Sequence, residues 1–151
     1  MSTLAPAHAA IVMEHTYNAS PARVFAAWED VEARERWSAP TPEIRIRHET
    51  ADFREGGRDV SRCIEPGKAD YVAEAVYLDI RRDRRIVFAE TVANGAARVS
   101  AALISVEISP KEASSHLLLT IQMASFDGVD MAGGYNEGWS AALDNLAREF
   151  R

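Results

Sequence analysis

The sequence predicts an α+β domain in which a curved antiparallel sheet of seven strands, in meander order, is covered by one long C-terminal helix, with two short helices after the first strand. Three observations carry that prediction. Between Asp130 and Arg151 the residues Tyr135, Trp139, Ala142, Leu143, Leu146 and Phe150 fall on one face of a helix. From Glu43 to Phe126 the apolar residues recur instead at every second position, broken by Gly, Pro and Asn-Gly turns. A sheet with one apolar face needs a cover, and only the last helix is long enough to supply it.

Taken in order, residues 1–10 read as a tail and the domain as 11–151. Ile11 to Tyr17 forms the first strand. Ser20 then caps a short helix whose first position is Pro21, where a missing N–H costs nothing, and Val24, Phe25 and Trp28 make its apolar stripe. Asp30 caps a second short helix through Trp37, with Glu32 and Arg36 spaced as an ion pair, and Pro40 and Pro42 end it. Ile44 and Ile46, then Ala51 and Phe53, lead to the Gly56-Gly57 turn of a hairpin, and Arg58 to Ile64 returns. Tyr71 to Ile80 and Arg85 to Val92 follow, with Arg81, Arg82, Arg84 and Arg85 around Asp83 read as a solvated turn. Asn94-Gly95 predicts a two-residue hairpin turn before Ala97 to Ile108 and His116 to Phe126. Asp130 is the expected cap of the final helix, where Asp144 stands one turn before Arg148. Gly133, Gly134 and Gly138 weaken a helix by ~1 kcal/mol each, which points to close backbone approach or to a wall kept clear beside Tyr135 and Trp139.

The totals exclude some functions. The chain has 151 residues, enough for one domain with a sizeable core, and 23 acidic against 17 basic residues give a net charge of −6, which disfavours nucleic acid as a partner. One cysteine, Cys63, permits no internal disulfide and no zinc site of paired thiolates, so a reducing cytoplasm is the expected compartment. Neither a signal peptide nor a membrane span is expected.

Three stretches carry a family likeness: Tyr17-Asn18-Ala19-Ser20-Pro21-Ala22-Arg23-Val24-Phe25-Ala26-Ala27-Trp28, Trp37-Ser38-Ala39-Pro40, and Gly138-Trp139-Ser140-Ala141-Ala142-Leu143-Asp144-Asn145-Leu146. Together they resemble the START-like, SRPBCC superfamily, in its branch named after the activator of a heat-shock protein ATPase. Asp52-Phe53-Arg54-Glu55-Gly56-Gly57-Arg58 and Arg85-Ile86-Val87-Phe88 are similar to that branch's hairpin and middle strand. The resemblance implies a helix-grip fold with a pocket between the long helix and the sheet for an apolar or amphipathic small molecule. It implies no single reaction, because lipid carriers, receptors, cyclases and co-chaperone domains share the shape. Ser38 stands where the branch often has a second tryptophan, which implies a wider or more polar mouth.

For chemistry the candidates are few. Gly138 to Ala142 approaches a nucleophile-elbow pattern, yet ends in alanine and lies within a helix. His8, His15, His48 and His116 are scattered, so no metal and no cofactor is expected. Glu90 shares a strand face with Ile86 and Phe88, and an acid on an apolar face must be paired, protonated or wet. Either it hangs into the pocket, with Arg58 as partner or ligand anchor, or the strand is turned and Glu90 is solvated. The expected ligand-binding residues are Trp28, Trp37, Phe53, Arg58, Tyr71, Tyr77, Phe88, Glu90, Met123, Phe126, Trp139 and Leu143. Cys63 reads as a small buried hydrophobe. Alternatives to simple binding are a cyclase- or hydratase-like enzyme using Glu90 as general acid or base, and a chaperone-interacting module. Exposed sheet edges leave a homodimer open.

Overall fold

The computed structural model describes residues 4–151, and each element follows from the local chemistry of its ends. The chain runs β1 (Ala7–Tyr17), α1 (Pro21–Glu29), α2 (Val31–Trp37), β2 (Arg45–Ala51), β3 (Arg58–Ile64), β4 (Tyr71–Arg81), β5 (Arg85–Asn94), β6 (Ala97–Lys111), β7 (Ser114–Ser125) and α3 (Met131–Leu146), with a 3₁₀ turn over Ala147–Phe150. Ser20 accepts from Arg23 N, Asp30 from Glu32 N and Ala33 N, and Asp130 from Gly133 N, so all three helices start on the side chains expected to cap them. Each such cap is worth ~1 kcal/mol.

Strands β2 to β7 form a meander, and β1 pairs with β7, giving the order β1-β7-β6-β5-β4-β3-β2 with every pair antiparallel. Because β1 and β2 are the two edges, α1 and α2 must carry the chain across the whole sheet. They cross its inner face. Register shifts at His48/Thr50, Tyr77/Asp79 and Val92/Ala93 add local twist and bend, which helps the sheet curve around what it covers. On β7 the inward residues Leu117, Leu119 and Ile121 are fully buried, as are Ile104 and Val106 on β6, while their neighbours face outward. Leu146 of α3 and Val24 of α1 close the core from the other side, also with no exposure.

The helix α3 packs mainly on β1, β7 and α2. Tyr17 donates its hydroxyl to Leu143 O at 2.7 Å, and Asn145 Nδ2 donates to Ala39 O at 2.9 Å, so its C-terminal half is fixed to both the sheet and the helix crossing. Burial, with the nearby Asp144 charge, pushes the Tyr17 hydroxyl's pKa up.

Several expectations need correction. The first strand starts at Ala7, paired with Ser125, because residues 7–10 continue the β1–β7 ladder; the earliest tail residues, 1–3, lie outside the described residues. The hairpin turn is Gly95-Ala96, one position later than the dipeptide suggested, with Asn94 opposite Ala97 and Gly95 at φ +59°. Arg36 bonds to both carboxylate oxygens of Glu149, at 3.2 and 2.7 Å, and not to Glu32. Asp144 meets His15 Nε2 at 3.4 Å instead of Arg148. In both cases a residue from another element lies across the surface, a contact that helical spacing does not encode.

Candidate functional site

The face-sharing pattern of β4 sends Tyr71, Ala73, Ala75 and Tyr77 inward, and that of β5 sends Ile86, Phe88, Glu90 and Val92 the same way. Opposite them, α3 presents Gly134, Tyr135, Gly138 and Trp139. Between these surfaces lies a cavity of about 280 Å³, at the lower edge of the volumes usual for small-molecule sites. A Cβ built on Gly134 or Gly138 meets nothing within 4 Å; both border the cavity, Gly134 as an exposed residue and Gly138 as a half-buried one. At Gly133 the reason is different: a Cβ would lie 2.8 Å from the capping Asp130 carboxylate.

Aromatic rings make two walls. From the helices, Trp28 stacks on Trp139 with centroids 5.8 Å apart and planes 13° from parallel, and Trp37 packs against Trp28 at 4.7 Å. Trp37 Nε1 donates to Ala27 O at 3.0 Å, which locks that ring in place. From the sheet side, Phe53 meets Tyr77 edge-on at 5.0 Å, and Tyr77 meets Phe88 at 6.0 Å. Tyr71 completes the rim and is 37% exposed. Ser38 also lines the cavity, and its hydroxyl bonds back to Arg34 O within the last turn of α2.

One side of the cavity is lined by a polar network centred on Arg34, whose Nε and Nη2 are buried without a hydrogen-bond partner among the described residues. Arg34 Nη1 donates to Asp59 Oδ1 at 3.1 Å and to Tyr77 Oη at 2.7 Å. His48 stands between Asp59 Oδ2 at 3.4 Å and Glu35 Oε2 at 3.2 Å. Burial alone would raise the Asp59 pKa, but the His48 hydrogen bond and the Arg34 charge outweigh it and hold the carboxyl below its usual range. Burial likewise pushes the Tyr77 hydroxyl up, against the pull of Arg34. Cys63 lines the cavity too, with its thiol pushed up by burial and by Glu65 and Asp70, which makes it unreactive as a thiolate.

The other side is open. Among the described residues Glu90's carboxyl has no hydrogen bond and no ion pair, and it faces the cavity. Burial, reinforced by Asp59, pushes its pKa up to about 7. Next to it, the Tyr135 hydroxyl is buried near the Ser100 hydroxyl, but the two do not meet in hydrogen-bond geometry; burial and Glu90 raise the Tyr135 pKa, with Ser100 opposing. A carboxyl in this condition can exchange a proton near neutrality or act as counter-ion to a bound cation.

Trp28, Trp37, Phe53, Tyr71, Tyr77, Phe88, Glu90 and Trp139 thus border one cavity. Arg58 does not: Asp59 is the inward residue of that strand, so Arg58 projects from the outer face, exposed, 3.8 Å from Glu74. Met123 is buried in the core on β7 and does not border this cavity. Leu143 is buried in the C-terminal half of α3 and does not border the cavity, although its neighbour Ala142 does, and Phe126 follows β7 outside it. Ser140 is exposed on α3 and borders no cavity, so the elbow-like pattern brings no groups together. Arg34 and Asp59 do not stand out in the sequence, where His48 is one of four scattered histidines and Tyr135 one residue of the apolar face of the last helix. Arg34 sits amid charged residues on a short helix and His48 in an alternating run, and only the helix crossing over the sheet brings them together.

Several known proteins share this fold. The family model described as Activator of Hsp90 ATPase homolog 1-like protein matches residues 18–151. A crystal structure from Rhizobium loti is 38% identical, with a TM-score of 0.86 over 96% of this chain and 99% of that one. A protein from Rhizobium leguminosarum is 30% identical, with a TM-score of 0.87 over 96% of this chain and 95% of that one. A Chromobacterium violaceum protein, 21% identical with a TM-score of 0.80 over 92% of this chain and 94% of that one, shares the fold. No curated protein matches the sequence. With the family model spanning most of the sequence, and with this sheet, helix and cavity, the chain belongs to the Activator of Hsp90 ATPase homolog 1-like family, of the SRPBCC superfamily.

Proposed function

We propose that this protein binds a small, largely apolar molecule in the cavity between α3 and the sheet. The observation that carries this reading is the pair of glycines, Gly134 and Gly138, on the cavity side of a helix whose other half is filled with Ala142, Leu143 and Leu146. Each glycine weakens the helix by ~1 kcal/mol relative to alanine and leaves room that no side chain of the protein takes. Aromatic walls on both sides supply the contact area that an apolar ligand needs.

The test is gentle mass spectrometry of the protein as purified, beside a Gly138→Leu variant that puts a side chain into the space. A small molecule should travel with the native chain and be lost from the variant, while circular dichroism of the two stays the same. Equal retention of the molecule by both would place binding elsewhere.

A further inference from the structure

We infer that the cavity selects a protonated amine carried on an apolar body, with the Glu90 carboxylate as its counter-ion and the aromatic rings as its surroundings. This rests on the binding reading above and adds the charge of the ligand.

The inference comes from a balance of charges. The titratable groups that share the cavity with Glu90 are Arg34 from α2, His48 from β2, Asp59 and Cys63 from β3, Tyr71 and Tyr77 from β4, and Tyr135 from α3. Arg34 is the only arginine or lysine among them. Its Nη1 donates to Asp59 and Tyr77 and its charge is matched by the Asp59 carboxylate, while its Nε and Nη2 are buried without hydrogen-bond partners among the described residues. His48 is hemmed by two carboxylates, Glu35 and Asp59. No positive charge is left over for Glu90. When ionised it is an uncompensated negative charge in a space walled by indole, phenol and phenyl rings, whose faces are themselves negative in potential.

That combination opposes an anionic ligand and favours a cation. An ammonium group would gain the Glu90 ion pair and attraction to ring faces of Trp28, Trp139 and Phe88. A carboxylate would be repelled by Glu90 and would meet in Arg34 a charge that Asp59 already matches. A neutral hydrocarbon would fill the volume and leave the carboxyl without a partner.

The pH dependence separates these cases. Only ionised Glu90 can pair with an ammonium, so affinity for an amine should rise about tenfold between pH 6 and pH 8, because the carboxyl titrates at about 7. Titrations with 4-phenylbutylamine, 4-phenylbutyrate and butylbenzene, followed by calorimetry at both pH values, give the test. The amine should bind at least tenfold tighter than the carboxylate at pH 8, and Glu90→Gln should abolish that preference and its pH dependence while butylbenzene binding persists. Tighter binding of the carboxylate or of butylbenzene than of the amine would overturn the charge assignment and leave the binding site standing. Failure of all three to bind would overturn the binding reading itself. If Glu90→Gln fails to fold, the pH profile of the native chain decides alone: a flat profile for the amine refutes the counter-ion role.

Discussion

The two halves of α3 lie on the same sheet and obey different rules. In the C-terminal half, Ala142, Leu143 and Leu146 are buried, the Leu143 carbonyl accepts from Tyr17, and Asn145 ties the helix to Ala39. Toward the N-terminus the helix carries three glycines, a tyrosine hydroxyl without a partner and a half-buried tryptophan beside open volume. One half satisfies nearly every packing and hydrogen-bonding demand; the other leaves several unmet. Unmet demand concentrated at one place is where local stability has been given up, and that is the place where a ligand can gain binding energy.

The largest contrast should appear in stability. Leu146 has no exposure and belongs to the hydrophobic core, so Leu146→Ala removes its buried isopropyl group and opens a cavity, at a cost of ~2–5 kcal/mol. Tyr135→Phe, also in a buried residue but at a hydroxyl without hydrogen-bond geometry to any partner among the described residues, should change stability by less than ~1 kcal/mol and in the stabilising direction. Denaturant unfolding of the two variants measures both. A Tyr135→Phe loss as large as that of Leu146→Ala would mean the two halves are packed alike.

Next in size is the effect of Glu90. Its folded pKa is raised to about 7 from an ordinary carboxyl value, so below that ordinary value both folded and unfolded chains hold the proton and no penalty applies. As pH rises toward 7 the unfolded chain releases its proton first, and stability falls. Above 7 the penalty is constant, of the order of 3 kcal/mol. Glu90→Gln removes this dependence, so the variant should gain on the native chain as pH goes from 4.5 to 7.5 and hold its gain beyond. Thermal unfolding across that range checks it, and a difference that stays level with pH would show the carboxyl to be solvated.

How much of this could be read in advance follows the same division. The packed half of α3 was legible because its residues repeat at helical spacing, and the sheet because alternation and turn chemistry are local properties. Alternation groups Tyr71 with Tyr77, and Phe88 with Glu90, on common strand faces, but leaves open which face turns inward; the folded sheet turns both inward. Arg58 projects outward, because its strand places Asp59 inward and a one-residue change of parity reverses every side chain. Least legible was the Arg34, His48, Asp59 and Tyr77 network. Its members come from four elements, and α2 meets β2 and β3 only because the crossing from one sheet edge to the other carries it there. Contacts of that kind depend on topology, which periodicity does not reveal.

The smallest expected effect bears most directly on the comparison between the halves, because it separates stability from function at a single atom. A Cβ at Gly138 meets no atom within 4 Å, so Gly138→Ala has no clash to offset the gain of alanine over glycine in a helix, ~1 kcal/mol. For a chain of this length that gain should raise Tm by about 2–4 °C. The same methyl group projects into the cavity and takes space from any occupant, so affinity for a bound amine should fall while Tm rises. Packing alone predicts the rise without the fall, and a merely loose helix predicts neither. Opposite signs in one variant therefore identify Gly138 as a position where the helix gives up stability to keep the cavity open.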